Sequence, residues 1–125
     1  MPKTEVILLA HGSRLQEANE EVLKLAQHLK QSKPKENIST SSAFLQFGKP
    51  SLEETIDAAV ENGCQEVLIV PLFLTPGVHI NEDIPEIVSG AQEKYPGIQF
   101  KQCQLLGCDP RLVPILWERV NEQLS

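Results

Sequence analysis

Two stretches of uninterrupted apolar sequence constrain the fold of this chain more than anything else in it. They are Val6 to Ala10 (Val-Ile-Leu-Leu-Ala) and Val67 to Leu74 (Val-Leu-Ile-Val-Pro-Leu-Phe-Leu). Short apolar runs of this kind, with no polar residue at every second position, read as strands covered on both faces, as in a parallel sheet between helical layers. Two other segments are mixed. In Ile98 to Leu105, Ile98 and Phe100 alternate with Gln99 and Lys101, and Ile38 to Leu45 carries the polar tract Ser39 to Ser42. Such patterns suit strands with one wet side or a free edge.

Helical patterns separate these segments. The first places Leu15, Ala18, Val22, Leu25, Ala26 and Leu29 on one stripe, with Glu17, Glu21, Lys24 and His28 opposite. Ser13, three residues before Gln16, has the spacing of a capping box, and Ser51 before Glu54 repeats it for a second helix that buries Leu52, Ile56, Ala59 and Val60 and stops near Gly63. A third helix is expected from about Asn81 to Lys94, with Pro85 in its first turn and Pro96-Gly97 ending it. Asp109-Pro110 opens the last, which carries Leu112, Leu116, Trp117 and Val120; Pro114 makes its start irregular.

Four strands alternating with four helices predict an α/β three-layer sandwich with right-handed crossovers. With the apolar strands central, the simplest arrangement is a four-stranded parallel sheet in the flavodoxin-like order 2-1-3-4. The chain then leaves the first and third strands in opposite directions, opening a crevice at their carboxyl ends where ligands of such sheets bind.

The chain has 125 residues, the size of one module, 1–125, and we see no repeat or long linker. Seventeen acids against 11 bases give a net charge of −6, a poor balance for neutralising phosphates, so nucleic acid is not an expected partner. No apolar run approaches a membrane span, and Met1 to Thr4 leads into a strand without the pattern of a signal peptide, so a cytoplasmic protein is expected. Three cysteines, Cys64, Cys103 and Cys108, are odd in number and match neither a redox motif nor a zinc site, which fits a reducing compartment.

Two of the three histidines flank the expected crevice. His11 follows the first strand in Ala10-His11-Gly12-Ser13-Arg14, and His79 follows the third in Gly77-Val78-His79-Ile80. Singly, each reads as a capping or half-buried structural group. Paired at a switch point, two imidazoles can hold a divalent metal or accept protons near neutrality. His28, on the charged helix face, is solvated. Glu82 and Asp83 can orient an imidazole or accept metal as outer groups, or simply complement the helix dipole. Ser13 lacks the setting of a nucleophile, and Gly12 alone is far short of a nucleotide-binding loop. Arg14 and Lys49 lie near strand ends, where they can pair with substrate carboxylates.

These residues resemble a known family. Leu8-Leu9-Ala10-His11-Gly12-Ser13-Arg14 with Ala18-Asn19, Ala43-Phe44-Leu45 before Pro50-Ser51-Leu52, Val70-Pro71-Leu72-Phe73-Leu74 with Gly77, His79 and Asp83-Ile84-Pro85, and Leu106-Gly107 with Asp109-Pro110 are similar to the sirohydrochlorin chelatases of the CbiX/SirB type. The resemblance implies an ATP-independent class II chelatase that inserts Co²⁺ or Fe²⁺, with Ni²⁺ a further candidate, into sirohydrochlorin on the way to cobalamin or siroheme. It implies no cofactor beyond the metal substrate. His11 and His79 would be the metal ligands and catalytic bases, while Ser13, Arg14, Gln46 and Gly77 would contact the tetrapyrrole. At this length the resemblance is to the short, homodimeric form. Where the family often has a glutamate after Ala-Phe-Leu, this chain has Gln46, which brings no charge. The alternatives are a non-catalytic metal or tetrapyrrole carrier using the same crevice and a flavodoxin-like nucleotide-binding module.

Overall fold

A computed structural model describes residues 3–32 and 36–124; the side chains of residues 78 and 79 lie outside what it describes. Four parallel strands, β1 (Thr4–Ala10), β2 (Ile38–Phe44), β3 (Glu66–Pro71) and β4 (Gln99–Gln102), stand in the order β2-β1-β3-β4. The apolar runs are central and the mixed segments are the edges, as the sequence predicts. Helices α1 (Gln16–Gln31), α2 (Leu52–Glu61) and α3 (Val78–Lys94) form the crossovers, and a short 3-10 turn (Pro110–Leu112) leads into α4 (Val113–Gln123). None of the described helices is long and apolar enough to cross a membrane.

The core lies between the sheet and the α2/α3 layer. Ile7 and Leu9 of β1, Ala43 of β2 and Val67 and Ile69 of β3 pack with Leu52, Ile56 and Ala59 of α2 and Ile84 of α3. Each large aliphatic side chain removed from water there contributes about 2 kcal/mol. On the opposite face α1 packs on β2, while every residue of α4 remains exposed.

Several helix ends depart from expectation. The α2 capping box forms as predicted: Ser51 Oγ accepts from Glu54 N (3.1 Å) and Ser51 N donates to Glu54 Oε1 (2.9 Å). No such box forms at Ser13. The N-cap of α1 is Leu15, without a side-chain cap, and Ser13 Oγ instead accepts from Leu15 N at 3.0 Å as part of a turn. Helix α3 begins at Val78, three residues before the expected Asn81, so Pro85 is interior rather than in the first turn, and His79 is helical. The α4 start is irregular, as Pro114 implies: Asp109 caps the 3-10 turn before the helix proper begins. The apolar stripes expected to be buried on α1 and α4 are largely exposed, including Leu15, Leu25, Leu116 and Trp117, because among the described residues no element packs over them.

Candidate functional site

The site begins where β1 ends. Beyond the last strand residues the two segments stay hydrogen-bonded: Leu45 N donates to Ala10 O and Gln46 N to His11 O, each at 3.0 Å. Gly12 makes that approach possible. Its φ is +95°, and a Cβ there would stand 1.6 Å from the Gln46 carbonyl oxygen, so only glycine fits. The side chains of His11 and Gln46 meet as a result. Gln46 Nε2 is 3.1 Å from His11 Nε2 and 3.5 Å from Nδ1, while His11 Nδ1 lies 3.3 Å from Gly12 O. The Gln46 amide thus stands against the ring edge of His11, and the Gly12 carbonyl against its Nδ1.

Asn19 ties the two loops together. It is 4% exposed; its Oδ1 accepts from Ser13 N, and its Nδ2 donates to Ser13 O and to Phe47 O, all at 2.9 Å. Phe47 has a left-handed backbone (φ +56°), and the Arg14 guanidinium lies 4.6 Å from its ring centroid, a cation–π contact. In the sequence Asn19 stands out only as part of a motif; its role follows from contacts across 28 residues.

Helix α3 supplies the other wall. A cavity of about 310 Å³ is lined by His11, Leu45, Gln46, Asp83, Glu86 and Ile87. Leu45 and Ile87 give it an apolar floor, and the imidazole, the amide and two carboxylates supply its polar groups. Position 79 is the second residue of α3, and positions 79, 83 and 86 fall on one strip of the helix by their spacing. The His79 side chain is outside the described residues. Of the other candidates, Ser13, Arg14, Gly77 and Glu82 do not line this cavity: Ser13 is engaged in its turn, Arg14 on Phe47, Gly77 is the N-cap of α3 and Glu82 is exposed. Glu86 is a lining residue that no sequence motif singles out, although its place three residues after Asp83 and seven after His79 is a signal of the shared helix face.

Among the described residues no three His, Cys, Asp or Glu side chains stand close enough to enclose a metal ion. Burial pushes the Cys64 and Cys103 thiols up, away from the thiolate that binds metal. The Gln46–His11 pair and the facing carboxylates thus form an open, one-sided donor set. A neighbouring groove of about 350 Å³ between α2 and α3 shares Glu86 and Ile87 with the cavity. At its far end the Tyr95 hydroxyl donates to Asp57 Oδ1 and Lys94 Nζ lies 3.2 Å away; the Tyr95 bond, then Lys94, hold the Asp57 carboxyl below its usual range.

Comparisons with known proteins bear on the fold and the family. The sequence model of the CbiX family matches residues 5–123. A sirohydrochlorin ferrochelatase of Priestia megaterium is 32% identical over 119 residues, covering 94% of this chain but 43% of that protein. A sirohydrochlorin cobaltochelatase of Sulfurisphaera tokodaii is 30% identical over 119 residues and is covered over 92% of its length. The sirohydrochlorin chelatase SirB from Bacillus subtilis subspecies spizizenii, solved in complex with cobalt, superposes with a TM-score of 0.87 at 28% identity, over 97% of this chain and 51% of SirB. The chain therefore spans about half or less of some relatives and nearly all of others.

Proposed function

Because the chain belongs to the CbiX family, we propose that it is a sirohydrochlorin chelatase, inserting Co²⁺ or Fe²⁺ into the macrocycle without ATP. In the overall reaction one divalent ion enters the ring and two pyrrole N–H protons leave, so charge balances without a redox step. The chain must then present the ion to the ring and take up protons. A neutral imidazole does both in turn: its lone pair holds the ion, and once the ion has moved into the ring the same nitrogen can accept a proton.

The observation that carries this reading is that His11, exposed at the end of β1, shares a cavity with Asp83 and Glu86 of α3. The opposed carboxylates attract a cation to the mouth, and the open shape suits a wide, flat substrate better than an enclosed pocket would. Gln46 offers the ion a neutral oxygen in place of a charged one. His79, one helical turn before Asp83, is the second metal ligand in this reading. Ser13, Arg14 and Gly77, at the loops and helix start bordering the crevice, meet the substrate's carboxylates. Two copies of the module make up the working unit.

Anaerobic absorbance spectra of metal-free sirohydrochlorin mixed with Co²⁺ or Fe²⁺ and catalytic amounts of the protein test the proposal. Many insertions per protein molecule, faster than in the uncatalysed mixture, are expected. Uptake that stops at one macrocycle or one ion per chain would instead identify a carrier.

A further inference from the structure

The polar tract of β2 breaks the inward apolar pattern of the sheet and leaves a hollow behind it. In the β1/β2 ladder Glu5 stands beside Ser39, Ile7 beside Ser41 and Leu9 beside Ala43. Ile7, Leu9 and Ala43 are core residues, so by the two-residue period of a strand Glu5, Ser39 and Ser41 are turned toward the same helical layer. Opposite them α2 presents only the small residues Ala58 and Ala59, and a cavity of about 280 Å³ remains, with Lys3 also on its lining. It lies toward the amino ends of the strands. The His11 cavity lies beyond their carboxyl ends.

The polar groups of this hollow are only half used. Glu5 is 8% exposed. Its Oε1 accepts from Ser39 Oγ at 2.8 Å, while Oε2 has no hydrogen-bond partner among the described residues. The Ser41 hydroxyl is buried and has no partner either. Lys3 Nζ donates to the Asn62 carbonyl at the end of α2, at 3.0 Å, and an ammonium has two further donors. Glu5 and Lys3 line one hollow, yet no ion pair joins them. A buried carboxylate oxygen and a buried hydroxyl without partners each carry a desolvation cost that a ligand would remove.

We infer that this hollow binds a small zwitterion of the size of a simple free amino acid, its ammonium on Glu5 and the Ser41 hydroxyl and its carboxylate on Lys3. Charge selects the class. The hollow offers one negative and one positive group, so a ligand with a single charge is attracted by one and repelled by the other, whereas a zwitterion satisfies both. Volume selects the size: about 280 Å³ lies at the small end of ligand sites, which span roughly 300 to 1,000 Å³, and excludes a nucleotide or a tetrapyrrole. Ala58 and Ala59, with no side chain beyond a methyl group, leave room for the ligand's carbon atoms.

Two-dimensional amide NMR of the isotope-labelled full chain, in a buffer free of amines and carboxylates, tests the inference. The probes are glycine and L-alanine as zwitterions, methylammonium as the ammonium alone and acetate as the carboxylate alone. Saturable shifts at the amides of Glu5, Ser39, Ser41 and Asn62 are expected with the amino acids, with affinity at least about tenfold weaker for either single-charge probe. Ser41→Ala removes a hydroxyl that holds nothing in the fold, so its circular dichroism should match the parent's while amino-acid affinity falls about tenfold, the scale of one hydrogen bond to a charged group. Glu5→Gln should weaken binding by at least as much, and Lys3→Met should remove the advantage of glycine over methylammonium. The inference is overturned if neither amino acid gives a saturable shift, if methylammonium or acetate binds the parent as well as glycine does, or if Ser41→Ala binds like the parent. Metal insertion does not enter the test, because the His11 cavity lies at the other end of the strands: a chain that inserts no metal yet binds glycine leaves the inference standing, and a chelatase blind to glycine removes it alone.

Discussion

Gln46 Nε2 stands 3.1 Å from His11 Nε2, so the amide occupies the side of that nitrogen from which a metal would be bound. An arriving ion must displace the amide or recruit its oxygen, and in either case it meets no added negative charge. Gln46→Glu puts a carboxylate at the same reach. Titration calorimetry with Co²⁺ should then show binding about tenfold tighter, and competition between Co²⁺ and Fe²⁺ in the insertion assay should change its outcome. Unchanged affinity would mean that position 46 does not reach the metal.

His11→Ala and His79→Ala should each lower the insertion rate by roughly 10² or more, the scale of a lost positioned base or ligand, with far-ultraviolet circular dichroism like the parent's. His28→Ala, on the exposed face of α1, should change nothing. Full activity in either of the first two variants would refute their assignment.

Asn19→Ala removes three hydrogen bonds and leaves Ser13 and Phe47 backbone groups without these partners. A loss on the order of 2 kcal/mol is expected in urea unfolding, because buried polar groups stripped of partners keep their desolvation cost. The loops after β1 and β2 should also exchange amide hydrogens faster, since Asn19 is the clasp between them.

Gly12→Ala forces a side chain into positive φ and onto the Gln46 carbonyl, whereas Gly77, with ordinary φ and open space out to Ile80, tolerates a methyl group. Gly12→Ala should cost at least about 2 kcal/mol by denaturant midpoint, and Gly77→Ala close to nothing. Equal effects would contradict the close approach of the two loops.

Asp57 is held below its usual carboxylate range mainly by the Tyr95 hydroxyl. A carboxyl depressed in the folded state contributes stability above its unfolded pKa and loses it as the pH falls through the folded value. Tyr95→Phe should therefore lower stability at neutral pH but narrow its gap to the parent on acidification below the ordinary carboxylate range. A gap that is constant from neutral to acid would show that the bond does not favour the ionised form.

Much of the fold was legible in the chain itself, because its determinants are local. Apolar runs at Val6 to Ala10 and Val67 to Leu74 marked the central strands, the mixed segments marked the edges, and Ser51 with Glu54 marked a helix start. The position of His11 at the crevice followed from its place directly after a central strand. Local reading failed where a cue had a second use: Ser13 closes a turn instead of capping a helix, and Pro85 sits inside α3 because that helix starts earlier than its strongest signals.

Only the tertiary structure decided which distant residues meet. The pairing of Ala10 with Phe44 fixes the register that brings Gln46, 35 residues away in sequence, onto His11, and the packing of α3 against the sheet brings Glu86 into the same cavity. Periodicity says that a face is apolar but not what will cover it, so the stripe of α4 reads as core in the sequence and lies open in the folded chain. Secondary structure is set by neighbours along the chain, whereas a site and an interface are set by neighbours across it, and those exist only once the sheet has fixed its register.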